Sequence, residues 1–215
     1  MNRSPLSPRA VGLVAAIAIL AGTAVAGAQA SPAPVARVRA DTGFARYTSA
    51  DVQFMSGMIH HHAQAVLMAG WAPTHGANPS VRTLCERIVV AQRDEIALMQ
   101  RWLRDRRETV PDVDATHDVM PGMEHAMMPG MLTAEQLAQL DSARGPEFDR
   151  RFLRFMIQHH QGAITMVNQL FGTQGGGEEE IVFKFASDVY ADQTTEIDRM
   201  QKMLAVLLFG APSGQ

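Results

Sequence analysis

The stretch MIHHHAQAVLM at residues 58–68 returns as MIQHHQGAITM at residues 156–166, 98 positions later. The same offset pairs Asp51 with Asp149 and Phe54 with Phe152. A second pair follows: EIALMQRWL at 95–103 and EIDRMQKML at 196–204 stand 101 positions apart. Two segments therefore recur in the same order, with three residues added between them in the second copy. A repeat unit of two such segments cannot bury its apolar face alone, so the pattern predicts a duplicated helical hairpin whose copies pack on each other.

The apolar spacing is helical. At about 100° per residue, Phe54, Met55, His61, His62, Ala65, Met68 and Ala69 fall within about 80° of Met58, while His60 falls near the opposite side. In the second copy Phe152, Met156, His159, His160, Ala163 and Met166 share the equivalent arc. The partner segment at 80–107 carries Leu84, Ile88, Ala91, Leu98, Met99 and Trp102 on one stripe. The one at 178–208 carries Phe185, Val189, Met200, Met203 and Leu207. Pro73, Gly76 and Pro79 break the first hairpin, and Gly172 with Gly175 to Gly177 breaks the second. Pro146 suits the first position of a helix. The expectation is an all-α four-helix bundle over residues 47–208. It comprises a hairpin at 47–107, a long connection at 108–131 and a second hairpin at 132–208.

Composition narrows the function classes. The chain has 215 residues, 47% of them hydrophobic and 19% charged, which allows a packed core. A formal charge of −3 argues against a basic nucleic-acid binder. One cysteine, Cys85, permits no internal disulfide and no Cys-rich zinc or iron–sulfur site, and it reads as a small core residue. No CxxCH occurs, so covalent c-type haem is excluded. Residues 1–30 read as a signal peptide: Arg3 and Arg9, an apolar run from Val11 to Val25, then Ala28-Gln29-Ala30 as a small-x-small cleavage site. The mature chain is then expected to start near Ser31, with a Pro- and Ala-containing linker at 31–46. No second hydrophobic stretch of spanning length follows, so no stable membrane insertion is expected once the signal is removed. The predicted location is periplasmic or extracellular.

The chemistry-bearing residues are unusual for a bundle. Fourteen Met and eight His are present. Met58 lies one turn from His61 and His62, and Met156 one turn from His159 and His160, so thioether and imidazole share a helix face. Met68 and Met166 follow on the same faces. The connection carries His117, Met120, Met123, His125, Met127, Met128 and Met131, with the motif MPGM at 120–123 and again at 128–131. A long Pro/Gly-broken loop of this kind is usually functional or disordered. Soft sulfur with imidazole nitrogen favours copper, Cu(I) above all, over hard ions, and Ag(I) shares the preference. The alternative for these residues is a set of core histidines hydrogen-bonded across the bundle, with Met filling gaps and capping one end. Glu95 and Glu196 each sit mid-stripe among apolar residues and need partners; the facing histidines are the candidates, and the carboxylates would then orient ligating imidazoles. No Glu-x-x-His occurs, which counts against a carboxylate-bridged di-iron site. There is no GxSxG, no HExxH and no phosphate-binding glycine loop.

Three segments, FMSGMIHHHAQAVLMA at 54–69, MPGMLTAEQLAQL at 128–140 and FDRRFLRFMIQHHQGAITM at 148–166, resemble the bacterial domain-of-unknown-function 305 family. The likeness runs over roughly residues 47–206. It implies a ferritin-like four-helix bundle, export and, as for some members, copper binding with a role in metal tolerance. The family's His-His and Met motifs would correspond to Met58, His61, His62, Met156, His159, His160 and the loop methionines. Gln158 stands where the repeat would place the equivalent of His60, so a site using His60 is not duplicated. The sequence reading is therefore an exported copper-binding protein, a Cu(I) chaperone or sequestering protein whose partners are the ion and another copper-handling envelope protein. A metal-dependent redox enzyme on the same bundle, and a metal-free envelope interaction protein, are the alternatives.

Overall fold

The computed structural model describes residues 46–113 and 128–210. The proposed signal peptide, the linker up to residue 45, and His117, Met120, Met123, His125 and Met127 lie outside the described residues. Among those described the fold is all-helical: α1 Ser49–Gly70, α2 Pro79–Asp105, α3 Ala134–Ser142, α4 Pro146–Phe171 and α5 Glu180–Phe209. None of these helices is long and apolar enough to cross a membrane.

Each start is encoded locally. Thr48 and Asp51 form a capping box at α1, and Asn78 caps α2 with Pro79 in the first position. Glu179, 101 residues after Asn78, caps α5 by accepting from the Val182 N–H. The short α3 adds to the four expected helices. Its signal was in the sequence, since Thr133 and Gln136 make a second capping box. It was hidden because 132–208 reads as one hairpin.

The hairpins α1–α2 and α4–α5 pack against each other through α1 and α4. The core shows how these two run. The first half of α1 (Phe54, Met55, Met58, Ile59) shares an apolar cluster with the second half of α4 (Ala163, Met166, Val167, Leu170). The second half of α1 (Ala65, Met68, Ala69) shares another with the first half of α4 (Phe148, Phe152, Leu153, Met156). The helices are therefore antiparallel and cross near His61 and His159, whose ring centroids are 3.8 Å apart. The His pairs form a polar layer between two apolar clusters. Two stripe assignments shift. His60 is buried rather than outward, because α1 is enclosed on most of its circumference, and Ala91 is exposed while Gln92 is buried.

Crossed contacts join the halves. Asp51 in the first turn of α1 accepts from the Gly177 N–H in the loop before α5. Asp149, its repeat partner in α4, accepts from the backbone and side-chain N–H groups of Asn78 before α2. His75 is a structural residue: its Nε2 reaches Asp141 at 2.8 Å, its ring stacks on Trp71, and its carbonyl accepts from Gly145 N–H. Cys85 is a free, buried thiol in the core, pushed up to a pKa of about 12 chiefly by burial.

Candidate metal centre

The His layer has two sides. On the side of α2 and α5, His62 Nε2 lies 2.7 Å from Glu95 Oε2, and His160 Nε2 lies 2.7 Å from Glu196 Oε2. A carboxylate oxygen accepts, so each imidazole carries a proton on Nε2, and in the neutral ring the lone pair is then on Nδ1. On the other side, His61 Nε2 is 3.1 Å from the Pro129 carbonyl. A carbonyl also only accepts, so His61 takes the same tautomer. The Nδ1 atoms of His61, His62 and His160, and both ring nitrogens of His159, are buried without hydrogen-bond partners. A buried acceptor left unmade costs about 1–3 kcal/mol. These lone pairs are the feature that a bound ion would satisfy.

Burial also holds three of these rings neutral. Desolvation, followed by the neighbouring His62, lowers the His61 pKa to about 3. His159 is held well below the usual histidine range by burial and then by His61. Burial lowers His160 as well, against the opposing pull of Glu196. Neutral imidazole is the ligating form.

The cover over the second side comes from the end of the Met-rich connection. Residues 128–132 lie in the groove between α1 and α4. Leu132 exchanges two hydrogen bonds with the Gln64 side chain, and Gln158 donates to the Gly130 carbonyl. Gly130 has φ +76°, and Gly162 lies against it so closely that a Cβ on Gly162 would overlap the Pro129 oxygen. Met128 Sδ and the Met166 methyl both approach Gly57, 3.7 and 3.3 Å from the Cβ it lacks. Sequence reasoning missed Gln64, Gln158 and Gly162. An isolated glycine inside a helical pattern was the available sign of a close backbone approach.

The thioethers are spread through the core. Met58 and Met166 belong to one apolar cluster, Met68 and Met156 to the other, and Met131 is a buried residue of the cover itself. Met58 and Met156 thus flank the His layer from opposite sides. Among the described residues no three His, Cys, Asp or Glu side chains are gathered into an ion-binding group. The donor set nevertheless suits a soft ion: neutral imidazoles with unpartnered lone pairs, and methionines one turn away.

The chain is similar to known proteins in sequence and fold. The model of the domain of unknown function DUF305 matches residues 51–204. A DUF305 fragment from Deinococcus radiodurans is 30% identical, covers 74% of this chain and 97% of its own, and superposes with a TM-score of 0.63. CopM in its Cu(II)-bound form is 30% identical over 72% of this chain and 95% of its own, with a TM-score of 0.57; the same protein has been solved with Cu(I) and with Ag. An uncharacterised protein of Acanthamoeba polyphaga mimivirus is 33% identical over 57 residues, 26% of this chain. The match spans 38% of that curated relative's length.

Proposed function

This chain belongs to the DUF305 family, and we propose on that premise that it is an exported copper-binding protein that sequesters or passes on Cu(I). The observation that carries the reading is the set of buried, unpartnered imidazole nitrogens at the crossing of α1 and α4. Glu95 and Glu196 fix two of these rings, as carboxylates do behind metal-ligating histidines. Met58, Met156, Met166 and Met128 supply soft sulfur around them. CopM, solved with Cu(I), Cu(II) and Ag, supports the same choice of ion. The methionines of the connection would collect the ion, the helix residues would hold it, and a second copper-handling envelope protein would receive it.

The test is an anaerobic Cu(I) titration of the purified protein against a chromophoric chelator, with Fe(II) in parallel. Cu(I) is expected to bind and Fe(II) not to. Changing His61 and His62 together to Ala should weaken binding, with helicity followed by circular dichroism. Replacing Met128 and Met131 by Leu keeps volume and removes sulfur. A protein that binds Fe(II) and ignores Cu(I), or an alanine variant that binds as the parent does, overturns the reading.

A further inference from the structure

The far side of the carboxylate–imidazole pairs opens into a cleft of about 210 Å³ between α2 and α5. Its lining follows the internal repeat: Gln92 and Glu95 from α2 face their counterparts Gln193 and Glu196 from α5. Asp192 adds a third carboxylate, and Arg87 is the one cation in the lining. Each glutamate uses a single oxygen on its histidine, and the other has no hydrogen-bond partner among the described residues.

Two further groups point to a ligand. Gln92 and Gln193 are only 2% and 4% exposed, yet both carboxamide atoms of Gln92 and the Oε1 of Gln193 have no hydrogen-bond partner. A buried carboxamide left unmatched is costly, and it is rarely tolerated unless something else fills its bonds. The Asp192 carboxyl is held above its usual range by partial burial and by Glu95, Glu196 and Asp188, so these negative charges bear on one another.

We propose that this cleft is a second cation site, built of hard oxygen donors, that takes a hydrated divalent ion of the Mg²⁺ or Mn²⁺ type. The donors are carboxylates and carboxamides without sulfur, the set that hard ions select. They do not converge into a cage for a bare ion. The cleft is large enough to hold several waters, and an ion that keeps most of its hydration shell can be held there by one or two direct carboxylates and by water-mediated bonds to the glutamines. The site does not depend on copper binding in the His layer. It shares Glu95 and Glu196 with that layer, so its ion would lie directly behind His62 and His160.

Mn²⁺ is the probe, because its six-line electron paramagnetic resonance signal disappears on binding. Titrating the purified protein should remove about one equivalent of signal, and excess Mg²⁺ should restore it. Asp192 is exposed, so Asp192→Asn leaves the fold intact; it should weaken Mn²⁺ binding roughly 10–100-fold and leave the Cu(I) titration unchanged. Gln92→Leu should also weaken Mn²⁺. Asp198→Asn, which alters an exposed pair with Lys202 on the same helix, should have no effect. Failure of the parent protein to bind Mn²⁺, unchanged binding in Asp192→Asn, or an equal loss in Asp198→Asn overturns the proposal.

Discussion

Gly162 shows how a single missing Cβ positions the candidate site. Its place in α4 lets the Pro129–Gly130 backbone settle onto the helix, and that brings the Pro129 carbonyl to His61. Gly162→Ala should therefore push the cover away and cost about 1–3 kcal/mol of stability. Gly70→Ala is the control. Nothing lies within 4 Å of its would-be Cβ, so the same change should be neutral or raise stability by about 0.5–1 kcal/mol. Thermal unfolding by circular dichroism separates the two. The histidines and the two glutamates were legible from periodicity, because spacing reveals which residues share a helix face. Gln64, Gln158 and Gly162 were not, because spacing does not reveal what comes to lie against that face. Their partners sit in a connection whose path no local rule dictates.

Among the elements, α1 carries the most constraint. It is buried on most sides, so His60 faces protein although its angle puts it opposite Met58. Periodicity ranks the faces of a helix; it does not tell how many neighbours will cover them. The starts of the helices were more legible than their surroundings, since caps are local chemistry, and the TAEQ box of α3 was readable too. Asp51 does two jobs: it closes the α1 capping box and accepts from Gly177 in the other hairpin. Asp51→Ala leaves the Thr48 and Gly177 N–H groups buried and unpaired, and should lower stability by about 1–3 kcal/mol. Thr133→Ala removes a cap on an exposed short helix and should cost about 1 kcal/mol. Chemical denaturation of both variants beside the parent tests that ordering.

For the molecule as a whole, duplication decided the fold, and the repeat offsets gave the hairpins and their order. The polar layer across the middle could not be located until α1 and α4 were seen to be antiparallel. That layer makes stability depend on pH. His61, His159 and His160 all have folded-state pKa values below the ordinary histidine value. The unfolded chain therefore binds more protons below about pH 6.5, and stability should be full above that value. It should fall as acid is added, down towards the His61 value of about 3. Melting temperatures of the metal-free protein between pH 8 and pH 4 check this, and a melting temperature that rises on acidification contradicts it. Bound Cu(I) should raise the melting temperature at neutral pH and lose that effect in acid, as protons compete for the same nitrogens.

The cover also bears on how the two halves have come to differ. A single strand of chain lying across an axis of approximate two-fold symmetry meets the halves in opposite directions, so identical residues cannot grip it twice. The repeat records this. Positions 58, 61 and 62 are matched in kind at 156, 159 and 160, all facing inward. Positions 57, 60 and 64 read Gly, His and Gln, while 155, 158 and 162 read Phe, Gln and Gly. Of these six, Gly57, Gln64, Gln158 and Gly162 meet the cover. The hairpins are twins in their interior and specialised along the one stripe where a shared strap must choose a direction, so a pair of identical hairpins could build the histidine layer but could not fasten this lid.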